Sequence, residues 1–176
     1  MKKKLNNYAK TLYGLILIIA VLQIYVPNAI SGEKQVAGWV ERVSIFPGNL
    51  EIKAKLDTGA RNSSLNANHI EEFERDGAKW VRFKLKNWKG RTLSMEARVI
   101  RMAIIKQIGT SSITRPVIRL GICLGKVYKE VEVNLEDRGK FNYQMLIGRS
   151  YLRNSTLVDA SATFKVKPDC QGVIPK

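Results

Sequence analysis

The sequence predicts a mainly β protein, a small barrel or sandwich with one short C-terminal helix, preceded by an N-terminal hydrophobic helix. Apolar residues alternate with polar ones over short stretches such as Leu50–Leu56, which is the period-two pattern of a half-buried strand. Turn signals such as Pro47-Gly48-Asn49 and Gly125-Lys126 separate these stretches. Many short strands divided by turns are typical of small barrels and sandwiches. The apolar run Leu12–Val26 predicts the N-terminal helix.

The strand pattern covers most of the chain after this apolar run. His69–Arg75 is predicted as a helical turn, and Leu146–Leu152 is predicted to run from a buried strand into a short helix. A polar loop tip is expected at residues 107–114. The predicted strands are Ala37–Phe46, Leu50–Leu56, Trp80–Leu85, Leu93–Ile105, Val117–Leu124, Val127–Leu135, Tyr143–Ile147 and Val158–Val166.

The first 31 residues have the layout of a secretory signal. A basic start is followed by the apolar run, then Pro27, and then the small residues of Ala29-Ile30-Ser31. The run of about 15 residues is shorter than the roughly 20 that span a bilayer, so a cleaved signal peptide is the first interpretation and an uncleaved membrane anchor the second. Either predicts a periplasmic or secreted protein, with inner-membrane anchoring as the alternative. Residues 32–36 are then a linker, 37–167 the domain and 168–176 a tail.

The charge is strongly basic, with 30 Lys and Arg against 15 Asp and Glu and a net charge of +15. Four of the basic residues lie in the leader, which has no acids, so residues 32–176 carry +11. A basic surface attracts polyanions, but these residues are dispersed and form no RNA-reading motif, so nucleic acid is not the expected partner. Solubility alone is the simpler interpretation. Cys123 and Cys170 lack the spacing of a zinc site, and whether they pair stays open.

The candidate for chemistry is Asp57-Thr58-Gly59-Ala60, which follows the strand Leu50–Leu56. A carboxylate that activates water must be held rigidly and must face a cleft. Gly59 lets the backbone turn sharply so that its N–H can donate to Asp57. Thr58 offers a hydroxyl that can lock the loop, and Ala60 is small enough to leave the cleft open. By itself, Asp-Thr-Gly is also ordinary turn chemistry.

The surrounding sequence resembles retropepsins, the dimeric aspartic proteases of retroviral type. Lys55 to Ala60 is similar to their catalytic loop, and Leu146–Leu152 to the segment that leads into their C-terminal helix. Val117–Lys126 and Val131–Leu135 are similar to their last hairpin. The resemblance implies a closed acid-protease barrel. It places the flap tip at residues 107–111, so that Ile108, Gly109 and Thr110 would contact substrate together with Ala60.

More narrowly, the chain resembles a bacterial retropepsin-like family that carries the label "ATP-dependent zinc protease". The resemblance spans about residues 36–165 and rests on Gly38–Glu41, Asp57–Leu65, Trp80–Phe83, Arg115–Val117, Asp137-Arg138 and Met145–Arg149. The label does not fit the residues, because the chain has no complete P-loop motif. Its one histidine, His69, cannot form a zincin pair. We therefore expect no cofactor and no metal.

The resemblance implies an aspartic endopeptidase acting on a peptide or protein substrate. Catalysis would fall to Asp57, Thr58 and Gly59, with Ile147, Gly148 and Arg149 supporting the loop. Two carboxyls must share one proton in this mechanism, and the sequence has one Asp-Thr-Gly, so a homodimer is expected. Asp159 lacks the motif and is interpreted as structural. The alternatives are a non-catalytic module that binds a peptide or an envelope component, and an adapter beside an ATP-dependent partner.

Overall fold

The computed structural model describes residues 33–105, 112–137 and 142–171. The predicted leader and the flap tip with Ile108, Gly109 and Thr110 lie outside the described residues. Within those described, no helix has the length and hydropathy that crossing a membrane requires. The elements are β1 Gln35–Phe46, β2 Leu50–Leu56, β3 Ser63–Asn66, β4 Asn68–Arg75, β5 Ala78–Lys86, β6 Thr92–Arg98, β7 Arg101–Ile105, β8 Ile113–Leu124, β9 Val127–Glu136, β10 Met145–Ile147, α1 Arg149–Leu152 and β11 Thr156–Thr163.

Six strands close into a barrel in the order β1-β2-β10-β3-β9-β8, because β8 pairs back onto β1 through Ser44 and Cys123. β7 extends this sheet beyond β8, and β11 runs parallel to the first half of β1. The predicted mainly β barrel with one short helix is therefore confirmed. The burial of β2 alternates along its length, as its period-two sequence predicted.

A second sheet, β4-β5-β6, packs against the barrel core with one face. Val81, Phe83 and Leu85 of β5 belong to the same hydrophobic cluster as the barrel residues. The helical turn predicted at His69–Arg75 is wrong, because that segment is β4 and pairs with β5. Backbone hydrogen bonds to a neighbouring strand outweigh the weak local helical preference.

The long strand predicted over Leu93–Ile105 is divided between the two sheets. β6 pairs with β5, whereas β7 pairs with β8. Val99 and Ile100 connect them, and each donates its N–H to a different sheet: Val99 to the Lys79 carbonyl at 2.9 Å and Ile100 to the Val117 carbonyl at 2.8 Å. The alternation of apolar and polar residues shows which face of a strand is buried. It does not show where the strand changes its pairing partner.

The C-terminal segment is held by a buried carboxylate that sequence reasoning did not identify. Glu41 is fully buried and accepts the N–H groups of Gly38 at 2.6 Å, Lys165 at 2.9 Å and Val166 at 3.3 Å. The last strand therefore ends at Thr163 rather than at the predicted Val166, because these N–H groups bind a side chain instead of a strand. Farther along, Cys123 and Cys170 form a buried disulfide.

Candidate active site

Strand β2 ends immediately before Asp57, and the loop fixes one oxygen of this carboxylate. The Oδ1 atom accepts the N–H of Gly59 at 2.9 Å and that of Ala60 at 3.2 Å. The Oδ2 atom faces the Lys55 ammonium at 3.9 Å. The Asp57 N–H donates to the Ile147 carbonyl at 2.8 Å, so the backbone of the loop is tied to β10. The backbone of the loop thus orients the carboxylate, which stays partly exposed to solvent.

Gly59 leaves room for the Asp57 carboxylate where the loop turns. A Cβ at this position would lie 3.2 Å from Oδ1, which is tighter than ordinary side-chain contacts. The next residue, Ala60, lines the cleft beside the loop. Thr58 is exposed at the tip, so its hydroxyl is available to a molecule on the other side of the loop.

The segment Ile147-Gly148-Arg149 passes behind the loop. One guanidinium nitrogen of Arg149 donates to the carbonyls of Thr58 and Gly59, both at 2.8 Å, and the Arg149 N–H donates to the Ala60 carbonyl at 2.9 Å. The glycine permits the close approach, since a Cβ on Gly148 would stand 2.6 Å from the carbonyl oxygen of Asn62. All three residues predicted to support the loop therefore lie against it.

Two residues anchor the short helix α1 that follows. The buried Tyr151 hydroxyl accepts the Leu124 N–H at 3.2 Å and donates to the Val127 carbonyl at 2.7 Å, and burial raises the pKa of this phenol. Lys129 donates to the carbonyls of Tyr151 and Arg153 at the end of the helix, and burial lowers its pKa. This bracing fixes the helix, and through it Gly148, relative to the β8–β9 hairpin.

A cleft of about 330 Å³ lies between the loop exit and strands β7, β8 and β9. Arg115 lines it and is 8% exposed; it pairs with Glu136 and lies 3.5 Å from Asn134 Oδ1. Burial lowers the pKa of Arg115, and its Nε has no hydrogen-bond partner within the described residues. Arg101 also lines the cleft, where it pairs with Glu132 at 2.7 Å.

Sequence reasoning missed Arg115 as a cleft residue. Arg115 belongs to the Arg115-Pro116-Val117 segment of the family resemblance, and this segment could have drawn attention to it. The sequence of a strand does not show whether a given side chain faces a cleft. β7 and β8 pair as far as Ile105 opposite Ile113, so the two strands that lead to the predicted flap tip do run side by side.

Asp159 lies on β11 in an environment different from that of Asp57. Its carboxylate accepts the backbone N–H of Ser161 at 2.9 Å, the Ser161 hydroxyl at 2.6 Å and the Lys165 ammonium at 2.9 Å. Hydrogen bonds from Ser161 and then from Lys165 lower the pKa of Asp159 to about 2. A carboxylate saturated by its own neighbours is suited to a structural role.

Comparison with known proteins identifies a family model and several relatives. A family model described as retropepsin-like aspartic endopeptidase RimB, or RimB-like, matches residues 36–168. A Shewanella pealeana protein named probable alpha-L-glutamate ligase is 41% identical over 116 residues, which is 64% of this chain and 25% of that protein. A Desulfotalea psychrophila protein of the same name is 35% identical over 131 residues, 72% of this chain and 28% of that protein.

The chain therefore spans about a quarter of the length of the curated relatives it matches. Among solved structures, the Legionella pneumophila protein Lpg0085, of unknown function, is 34% identical and superposes with a TM-score of 0.66. The match covers 77% of this chain and 100% of that chain.

Proposed function

Because the chain belongs to the RimB-like family of retropepsin-like aspartic endopeptidases, we propose that it hydrolyses peptide bonds with a water activated by two Asp57 carboxylates in a homodimer. The observation that carries the proposal is the geometry of one carboxylate. Asp57 stands at a strand end with Oδ1 held by two backbone N–H groups, while Oδ2 receives neither. In the proposal this carboxylate is half of a dyad, and a two-fold axis beside the exposed Thr58 would supply the other half.

In the proposed mechanism the two carboxyls share one proton, since like charges in contact do not both ionise cheaply. The ionised Asp57 takes a proton from the attacking water, and the protonated Asp57 donates to the substrate carbonyl. As the tetrahedral intermediate collapses, the acid that received the water proton protonates the leaving amine. The other Asp57 takes a proton back from a hydroxyl of the intermediate, so that the pair again shares one proton. Thr58 and Gly59 hold the pair in register, and Gly109 would let a flap bend over the substrate.

For substrates, we propose peptide segments that contain glutamate. Two arginines, Arg115 and Arg101, line the cleft beside the loop, and the curated relatives that contain a matching segment are named probable alpha-L-glutamate ligases. Both arginines already face carboxylates of the chain, so the expected preference is moderate. Quenched fluorescent peptides that differ only by Glu, Gln or Lys on either side of the scissile bond would measure it.

The decisive experiment compares wild type with Asp57→Asn on a peptide panel at mildly acidic and neutral pH, with and without pepstatin. Wild type should cleave, and Asp57→Asn should lose nearly all activity while keeping its circular dichroism and unfolding midpoint. Asp159→Asn is the matched control and should cleave as wild type does. Undiminished cleavage by Asp57→Asn would make the mechanism wrong.

The homodimer has its own test. Equilibrium sedimentation should give a dimer under assay conditions, and excess Asp57→Asn protein should suppress wild-type activity by forming mixed dimers with one acid. A strict monomer that remains active would remove the homodimer from the proposal.

A second candidate function is a non-catalytic module that binds peptides on the same fold. The observation that favours it is Lys55, whose ammonium stands 3.9 Å from Asp57 Oδ2 as a counter-ion for a single carboxylate. Binding without cleavage by wild type, unaffected by pepstatin, would support this module against the enzyme.

We also propose an extracytoplasmic location, either periplasmic or secreted, with the N-terminal segment as signal or inner-membrane anchor. The buried Cys123–Cys170 disulfide supports an oxidising compartment. Mass spectrometry of the purified protein would give the mature N-terminus, and thiol alkylation in intact cells would give the state of the cysteines. Free thiols in freshly harvested cells would contradict this location.

A further inference from the structure

A groove of about 570 Å³ lies outside the candidate active site, beside strand β6. One wall is the chain from Met95 to Ile100, and the opposite wall is Arg119 and Leu120 of β8, with Pro47 also in the lining. β6 is an outer strand of its sheet, since the strand order is β4-β5-β6. The groove therefore runs along a strand edge.

The hydrogen-bond register shows which backbone groups face this groove. The β5–β6 ladder is bracketed by two bonds, Asn87 N–H to the Arg91 carbonyl and Val99 N–H to the Lys79 carbonyl, each 2.9 Å long. Pairs in an antiparallel ladder alternate between bonded and non-bonded. With Trp80 opposite Arg98, the odd-numbered residues of β6 therefore bond to β5, and the even-numbered ones turn their N–H and C=O groups to the open edge.

The facing strand is also open at this point. β8 pairs with β7 as far as Val117 and with β1 from Gly121 onwards, so residues 118–120 have no strand partner on that side within the described residues. At one end the two walls meet, where the Ile100 N–H donates to the Val117 carbonyl at 2.8 Å. The groove therefore lies between the outer edge of β6 and the part of β8 that has no partner on that side among the described residues.

The side chains around the groove indicate what kind of chain fits. Arg98 and Arg119 are exposed and carry the positive charge of the lining. Glu96 is already engaged, because Arg75 and Arg82 bind its two oxygens at 2.6 and 2.8 Å, and these hydrogen bonds lower its pKa. Ile100 is 43% exposed at the closed end. Among the described residues, no carboxylate lies within ion-pair distance of Arg98 or Arg119, so the lining offers two cations beside apolar groups.

The closed end of the groove adjoins the candidate cleft. Val117 lines the cleft and Arg119 lines the groove. Two residues apart on one strand, they point to the same face at a separation of roughly 7 Å. The cleft and the groove therefore border the same face of β8, which also carries Arg115.

We propose that the open edge of β6 binds an extended peptide segment as a fourth strand of the β4-β5-β6 sheet. The partner is a segment in which acidic side chains alternate with apolar ones. Its backbone pairs with the outward N–H and C=O groups of Ser94, Glu96 and Arg98, and its acids lie against Arg98 and Arg119. Main-chain pairing supplies affinity and alternate side chains supply specificity in this mode of recognition. The interaction does not depend on Asp57 or on cleavage.

The probe is a fluorescein-labelled ten-residue peptide of alternating valine and glutamate, measured by anisotropy with the Asp57→Asn protein so that the peptide stays intact. We expect saturable binding. N-methylation of alternate amides, which removes one edge of donors, should weaken binding at least tenfold. A valine–lysine peptide of the same length should bind at least tenfold more weakly than the glutamate peptide.

Substitutions on β6 distinguish the contribution of backbone pairing to peptide binding from the contribution of charge. Arg98→Pro removes an outward N–H together with the cation, and should abolish binding. Arg98→Ala keeps the N–H and should weaken binding less. Lys84→Ala is the matched control, since this exposed lysine lies on β5 away from the groove. Ser94→Pro removes an outward N–H without changing charge, and serves if Arg98→Pro fails to fold.

Charge reversal gives the positive test. The double variant Arg98→Glu with Arg119→Glu should lose the glutamate peptide and gain the lysine peptide. Equal binding by Arg98→Pro, Ser94→Pro and wild type would overturn the proposal. The absence of binding at about 1 mM peptide, the weak end of specific affinities, would also overturn it.

A second copy of the chain is the competing occupant of the edge. If Arg98→Pro or Ser94→Pro lowers the sedimentation weight of the protein in the absence of peptide, the edge is a contact between copies and the peptide proposal is wrong. Cleavage assays of the wild-type protein are read separately, so that a failure here leaves the proposed endopeptidase activity unaffected.

Discussion

The Asp57 loop and the β6 edge use their backbone groups in opposite ways. In the loop, the N–H groups of Gly59 and Ala60 bind the carboxylate, and the carbonyls of Thr58, Gly59 and Ala60 are bound by Arg149. Along β6, the even-numbered residues turn their backbone groups into an open groove. The backbone groups of the loop are bound within the protein, whereas those at the outer edge of β6 face the groove.

The difference separates two tasks. Chemistry needs a carboxylate whose position is fixed before substrate arrives, which requires that the supporting groups be already bound to each other. Recognition of an extended chain needs groups that are not yet bound. An exposed edge is otherwise a liability that proteins usually protect, so its retention next to a cleft calls for an explanation by binding.

The sharpest test of the edge is a pair of adjacent prolines, with the largest expected effect on stability. Ala97→Pro removes an N–H that bonds to β5 and should lower the free energy of unfolding by about 3 kcal/mol, the upper end for ordinary point mutants. Arg98→Pro removes an outward N–H, and edge positions tolerate proline, so it should cost less than about 1 kcal/mol. Urea unfolding measures both. Equal losses would mean that the register is misassigned.

The Asp57 loop is tested at Gly148. Gly148→Ala places a methyl group 2.6 Å from the Asn62 carbonyl oxygen, so the loop must move. Overpacking of this kind costs about 1–3 kcal/mol, and peptide cleavage should fall further than stability because Asp57 shifts. Gly90→Ala is a control in open space, although its φ of +81° adds modest strain. A Gly148→Ala protein with wild-type unfolding and cleavage would contradict the close approach.

Arg149 should affect activity more than stability. Arg149→Met removes two charge-assisted hydrogen bonds to exposed carbonyls that water can satisfy, so the stability loss should be about 1 kcal/mol. A loop displaced by about 1 Å would reduce cleavage roughly 10²-fold. Arg153→Met is the control, because Arg153 is exposed just beyond the helix. Similar cleavage rates for the two variants would argue against the bracing role.

The smallest effect is expected at Asp159. Its pKa is lowered from 3.8 to about 2 in the folded protein, so its ionised form is favoured by folding. The resulting stabilisation is fully present above about pH 4 and is lost as the pH falls through 2. Acid titration of wild type and Asp159→Asn, followed by circular dichroism, should show a stability difference that disappears below pH 2. A difference that grows on acidification would reverse the assignment.

Much of the barrel could be predicted because the inner and outer faces of a strand alternate in the sequence. Leu50–Leu56 is such a strand. Asp57-Thr58-Gly59 by itself is also ordinary turn chemistry, and it was recognised as a candidate site because the surrounding sequence resembles retropepsins. The misplaced elements share a cause. His69–Arg75 was predicted as a helical turn, and Leu93–Ile105 as one strand, because neither segment records which strand it will pair with.

By itself, the sequence determined the alternating faces, the position of the candidate acid and the short helix behind it, since each depends on residues close together in the chain. Only the tertiary structure decided that Arg149 would reach Thr58 across 91 positions and that Glu41 would bind Val166 across 125. It also decided that the outer edge of β6 would have no partner strand among the described residues. These contacts depend on strand order and on chain crossings. The loop of Asp57 is supported, and the groove beside β6 is formed, only when distant segments of the chain come together.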